Sequence, residues 1–253
     1  MKITILERPT EITARSFKQE LGKALNELKS GLKATTTLDG FSSNGWTRIE
    51  ITGDDSEILT ELIAKAFGLA HTDLREIDVP SVYESIITNV TAGGLEFDIG
   101  LERGGPFKCF VPVSHLTAQL ADGKNIPCRE IANDYCLLPG VRLSVRISRK
   151  TDNEIEAWLS DSQIERLTRW ITSGLDRIDA FDCFEQEVEA AIFRANLSRD
   201  IIATNQITLT VQSIECKLGT DAVGLIPKLG SVLRRQKLQP FIPKRIVARC
   251  RPW

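Results

Sequence analysis

The stretch from Ser81 to Leu159 constrains the fold more than any other part of the chain. Five short runs rich in β-branched and aromatic residues follow one another there: Tyr83–Val90, Leu95–Leu101, Phe107–Val111, Val141–Ile147 and Glu154–Leu159. Gly93-Gly94 and Gly104-Gly105-Pro106 break them, and an insertion at 115–139 with two short helical stretches precedes the fourth. Strands this short expose their edges unless the sheet closes, so the pattern predicts a small five-stranded barrel.

The flanking segments read differently. Residues 2–6 form a short strand, and Phe17, Leu21, Ala24, Leu25 and Leu28 carry a helical period that Gly31 is placed to end. Strand-like runs Leu32–Leu38 and Trp46–Thr52 meet at a Gly-Phe-Ser-Ser-Asn-Gly turn. Asp54-Asp55-Ser56 then caps a helix with apolar positions Ile58, Leu59, Leu62, Ile63 and Ala66. That order is β-α-β-β-α, followed by a polar linker at His71–Val79 and by Pro80. Beyond the barrel, Ser160-Asp161-Ser162 caps a helix carrying Ile164, Leu167, Trp170 and Ile171. A helix over Phe184–Ala195, a long strand over Gln206–Cys216, a helix near Asp221–Arg235 and a final strand around Phe241–Ala248 follow. Pro227 is expected to shape a turn. The expected fold class is α+β: a small βαββα N-terminal module (1–75), a central OB-like five-stranded barrel (80–160) and a C-terminal α+β module with a basic tail (161–253). At about 150 residues per domain, 253 residues suit one large or two small units, with enough length for a core that needs no staple.

No apolar run is long enough for a signal peptide or a membrane span, so a cytoplasmic protein without a membrane partner is expected. The six cysteines lie at 109, 128, 136, 183, 216 and 250, with no C-x-x-C pair, and His71 and His115 are the two histidines. Metal sites usually announce themselves by short ligand pairs, so no metal and no cofactor is expected, and the thiols read as reduced and buried. Cys128 and Cys136, which flank a short helical stretch, are the one pair with spacing worth testing for redox behaviour. His115 beside Ser114 and near Cys109 lacks the oriented base and third partner of a nucleophilic site, and the chain reads as a non-enzyme.

The net charge of -2 conceals an asymmetry. Residues 152–200 hold 12 acids and 5 bases, whereas no acid follows Asp221. Eight bases do: Lys228, Arg234, Arg235, Lys237, Lys244, Arg245, Arg249 and Arg251. A one-sign segment is an electrostatic footprint for nucleic acid, and six such bases on phosphates would give a log-log salt slope of about -4 to -5. The same segment could instead pack on the acid-rich stretch, in this molecule or in a partner. Sequence leaves both readings open. At Lys217-Leu218-Gly219-Thr220-Asp221, the glycine and Thr220 before a helix offer backbone N–H groups to an anion, although helix capping explains the same residues.

The run Gly93–Gly100 followed by Cys109-Phe110-Val111-Pro112-Val113-Ser114-His115-Leu116 resembles the barrel of ribosomal-protein-S-one-type RNA-binding domains. In such a barrel, Phe107, Lys108, Phe110 and His115 would supply stacking and charge to single-stranded RNA. Glu96 departs from that pattern by placing a carboxylate where an aromatic is common. From about 80 to 247 the chain also resembles the archaeal proteins grouped as domain of unknown function 2110. That resemblance rests on Gly94–Gly100, Val111–Leu116, Ala118–Gly123, Cys216–Ala222, Gly224–Gly230 and Pro243-Lys244-Arg245-Ile246. It implies an archaeal cytosolic protein and supplies no catalytic residue.

These readings converge on an RNA-binding, ribosome- or translation-associated protein. It would use the basic segment for phosphates and the barrel face for stacking. The alternative is a protein-interaction module, or a homodimer, built on the acidic and basic surfaces.

Overall fold

A computed structural model describes residues 1–71, 73–101 and 108–250, without the side chain of Lys108. Phe107 and Arg251 lie outside the described residues. The architecture is α+β, with a closed barrel between a three-stranded and a four-stranded sheet.

The first layer follows directly from the amphipathic pattern. Strands β1 (Lys2–Ile5), β2 (Ala34–Phe41) and β3 (Thr47–Gly53) form an antiparallel sheet in the order β1-β3-β2. Helices α1 (Phe17–Leu28) and α2 (Ser56–Phe67) cover it. Phe17, Leu21 and Leu25 of α1 meet Leu59, Ile63 and Phe67 of α2 over Ile49 and Ile51. Ile58 and Leu62 lie on the exposed side of α2. The period is right, and the buried stripe sits one residue further along.

The barrel is β4 (Val82–Val90), β5 (Gly94–Asp98), β6 (Lys108–Pro112), β7 (Arg142–Lys150) and β8 (Glu154–Leu159), closed in the order β4-β5-β6-β8-β7. Parallel pairing of β6 with β8 closes the ring, with Lys108 opposite Glu154 and Phe110 opposite Glu156. The interior is Ile87, Leu95, Phe97, Val111, Leu143, Val145, Ile147, Ile155, Ala157 and Leu159. Alternate residues face out, as a period of two requires. Gly94 permits β5 to run against β6, because a Cβ there would stand 2.1 Å from the Val111 carbonyl oxygen. The insertion forms α3 (Val113–Leu120) and α4 (Cys128–Asp134), which extend the barrel core through Leu116, Leu120, Ile131 and Tyr135.

After α5 (Asp161–Ser173), whose Ser160 hydroxyl accepts from the Gln163 N–H at 3.1 Å, comes β9 (Arg177–Phe181). It joins β10 (Ile201–Thr208), β11 (Val211–Cys216) and β12 (Leu238–Phe241) in the antiparallel order β10-β11-β9-β12. Helix α6 (Glu185–Arg194) lies over β10, and α7 (Ala222–Val232) lies over β9 and β12. The expected long strand over Gln206–Cys216 is therefore two strands that turn at Leu209-Thr210. The expected final strand over Phe241–Ala248 is helix α8 (Pro243–Cys250). A proline at its first position suits a helix start, and Ile246 and Cys250 then fall four apart on the buried face. Pro227 does not make a turn: α7 runs through it.

Candidate nucleic-acid interface

Register places a row of side chains across the outside of the barrel: Asn89, Glu96, Phe110, Glu156 and Arg149 sit on successive neighbouring strands. Phe110, half-buried, is flanked by Glu96 on one side and Glu156 on the other. Asn89 donates to Glu96 Oε2 at 3.1 Å, and Arg149 pairs with Glu156 Oε2 at 3.0 Å and with Glu154 Oε1 at 2.9 Å. His115 is folded against the same face. Its ring stacks on Trp158 with centroids 3.5 Å apart. Its Nδ1 donates to the Ala157 carbonyl at 3.0 Å, and its Nε2 lies 3.5 Å from Glu156 Oε1.

This arrangement bears on the expected stacking surface, of which Phe107 and the Lys108 side chain lie outside the described residues. A base needs an aromatic face free to receive it, and phosphate needs positive charge beside it. His115 and Trp158 each give one ring face to the other, and the carboxylates of Glu96 and Glu156 border Phe110. Among the described side chains, Glu96, Glu154 and Glu156 place three carboxylates on the outer barrel wall at β5, β6 and β8, held by Asn89 and Arg149.

The basic C-terminal residues divide in two. Arg245 and Arg249 are used inside the molecule: Arg245 Nε lies 2.9 Å from Asp134 Oδ1, and Arg249 Nη1 lies 3.2 Å from Asp134 Oδ2 and 3.0 Å from Glu130 Oε2. Asp134 is buried at the end of α4, so these pairs clamp α8 onto the barrel insertion. The carboxylates that pair with the basic end are thus those of α4, while α8 also packs against α5 of the acid-rich 152–200 stretch. Lys228, Arg234, Arg235, Lys237 and Lys244 are exposed, and no carboxylate pairs with them among the described residues. Four of them lie on the second half of α7 and the turn that leads into β12, and Lys244 stands in the first turn of α8, beyond it. Lys237 Nζ lies 5.7 Å from the Phe181 ring centre.

Gly219 and Thr220 do precede a helix, but its first N–H groups are taken. Asp221 Oδ1 and Oδ2 accept from Val223 and Gly224 at 3.1 Å each, and Asp176 Oδ2 accepts from Ala222 at 3.2 Å. Two carboxylates occupy the place of the anticipated anion, and would repel another.

A cleft of about 260 Å³ opens where the three layers meet. Leu6, Glu7, Arg8 and Trp46 come from the first layer, Ile86–Thr88 and Gly140 from the barrel, and Phe181, Asp182 and Thr208 from the last sheet. Arg8 lies 4.5 Å over the Trp46 ring, and Phe181 at the cleft is the residue that carries Lys237. Sequence reasoning missed this cleft. No motif marks it, because its walls come from segments up to about two hundred residues apart.

All six cysteines are free and buried. Burial pushes the Cys128 thiol up to about 11 and raises Cys136 well above its ordinary value, so both stay protonated and poorly nucleophilic. No cluster of three or more metal-ligating side chains occurs among the described residues. No described helix is long and apolar enough to cross a membrane.

Residues 175–239, which span β9 to the start of β12, match the family model of the DUF2110 C-terminal domain. No curated protein matches this sequence. Among solved structures, a multidomain protein with nucleic acid binding domains from Streptococcus pneumoniae TIGR4 aligns over 77% of this chain at 11% identity and a TM-score of 0.21. The chain spans 48% of that protein's length, about half. The description of that structure is its own, and at this similarity it carries no argument for this chain.

Proposed function

We propose that this chain, whose residues 175–239 carry the DUF2110 C-terminal domain, is a non-enzymatic RNA-binding protein that works with the ribosome or another part of the translation machinery. The carrying observation is the set of five exposed, carboxylate-free bases, Lys228, Arg234, Arg235, Lys237 and Lys244. An overall charge of -2 makes such a concentration of unpaired cations on neighbouring elements a directed field rather than a general surface property. With carboxylates bordering Phe110 on the barrel wall, contact runs chiefly through the phosphate backbone.

Fluorescence anisotropy with a labelled mixed-sequence RNA tests this. Five phosphate contacts give a log-log salt slope of about -3.5 to -4.5. The triple substitution R234E/R235E/K237E should abolish binding while leaving the melting temperature unchanged. Unchanged affinity in that variant overturns the assignment.

A further inference from the structure

The two edges of the C-terminal sheet are protected very differently. On one side, β12 is four residues long, contains Pro240, and is covered by α4: Gln239 Nε2 donates to the Asn133 carbonyl at 3.1 Å. On the other side, β10 runs for eight residues, Ile-Ile-Ala-Thr-Asn-Gln-Ile-Thr, with no proline and no charged side chain. Edge strands in stable monomers are usually shortened, charged or covered, because their outward N–H and C=O groups template another strand. No backbone-to-backbone hydrogen bond outside the β10–β11 ladder involves residues 201–208 among the described residues.

Exposed apolar side chains gather around this edge. Ile202 of β10 is 53% exposed, Phe193 near the end of α6 is 79% exposed, and Leu218 after β11 is 81% exposed. The Lys217 N–H bonds the Asp200 carbonyl at 2.8 Å, which holds the Leu218 loop beside the start of β10.

We infer that β10 is a homodimer interface, pairing antiparallel with β10 of a second copy about a two-fold axis to make one continuous eight-stranded sheet. Self-complementarity selects a second copy over another partner. The ladder to β11 is regular from Ala203 to Gln206 and breaks register on either side, at Ile202 and Ile207. A two-fold normal to the sheet keeps every side chain on its own face, so it passes through a residue that meets its own copy: an axis at Thr204 sets Thr204 against the partner's Thr204 and Ala203 against the partner's Asn205. Threonine meets threonine, and no like charges meet. The same axis sets α6 antiparallel to its copy. That helix has exposed Glu185 and Glu189 toward its start and exposed Arg194 at its end, so the acidic end of each copy meets the basic end of the other. The interface is separate from the basic residues of the proposed RNA surface.

Sedimentation velocity on the full chain, over a range of concentrations and at low and high salt, provides the test. A dimer that persists at high salt is expected, because the pairing strand is neutral. I202K should convert it to a monomer with an unchanged far-UV spectrum and unchanged RNA affinity. Hydrogen exchange of the wild-type chain gives a readout that needs no variant, with amides of residues 202–207 more protected at high concentration than at low. A monomer at every concentration overturns the interface. So does a dimer that I202K leaves intact and in which 202–207 exchange independently of concentration.

Discussion

Glu7 Oε1 accepts from Arg142 Nη2 at 3.1 Å and from the Leu209 N–H at 3.0 Å, so one carboxylate oxygen ties the first sheet to the barrel and to the C-terminal sheet. The Glu7 main-chain carbonyl adds bonds from Thr47 N and Oγ1, and Arg142 Nη1 donates to the Ala66 carbonyl at 2.7 Å. Three layers separated by up to 202 positions in sequence converge on one side chain. Above about pH 7, where the Glu7 carboxyl is ionised, Glu7→Ala leaves the Arg142 guanidinium buried without its counter-charge. A loss of about 3 kcal/mol in urea unfolding is expected. A change below about 0.5 kcal/mol would show that the layers hold together without it.

The same group sets a pH dependence. Burial pushes Glu7 up to about 7, against the downward pull of Arg142 and the Leu209 N–H. Asp179, fully enclosed beside Ser213, Arg177 and Cys136, is pushed up to about 6. Both native-state values exceed the ordinary carboxylate values of 4.5 and 3.8, so between those limits the folded protein binds more protons than the unfolded chain. Stability is therefore expected to fall as pH rises from about 4 through 7. For Glu7 the loss is about 3 kcal/mol. Glu7→Gln removes that part of the slope, and melting temperatures of both proteins across this range measure it. Parallel pH profiles would show that Glu7 ionises normally.

The divided basic segment predicts divided phenotypes. Arg245→Ala strips one cation from buried Asp134 and should cost about 2–3 kcal/mol, with Arg249 left to moderate the loss. Arg234→Ala and Arg235→Ala meet no carboxylate and should stay within about 0.5 kcal/mol of the parent, yet each should reduce the RNA salt slope by roughly one contact. If all three substitutions behaved alike in both assays, the division would be wrong.

Much of this architecture is legible in sequence where the period is local. The five barrel runs, the capping Ser160 and the βαββα order all follow from alternation, glycine corners and helix caps. The C-terminal sheet is harder because its signals overlap. Ile201–Cys216 is nearly continuous in β-forming residues, and the break at Leu209-Thr210 contains neither glycine nor proline. Ile242 through Ala248 satisfies strand propensity as well as it satisfies a helix begun by Pro243. The site was legible only as charge. Sequence shows eight bases, but which of them are paired depends on Asp134, more than a hundred residues from Arg245. The stacking of His115 on Trp158 likewise joins residues that no spacing rule connects.

Gly100 tests the junction between the first layer and the barrel. Its φ of +87° lies in the left-handed region, and a Cβ there would stand 2.2 Å from the Ala70 Cβ. Those contacts are short because Ala70 is drawn in: its N–H bonds the Thr4 carbonyl at 2.9 Å, and the next N–H, of His71, bonds the Ile99 carbonyl at 2.9 Å. Gly100→Ala must therefore part the linker from the end of β5 as well as strain its own backbone. Gly123 has a similar φ of +72° but open space around its Cβ position, so Gly123→Ala carries the backbone strain alone. That control should cost about 1–2 kcal/mol, and Gly100→Ala at least about 1 kcal/mol more. Equal losses in thermal unfolding would mean that the linker yields freely and that the first layer is not held to the barrel at this point.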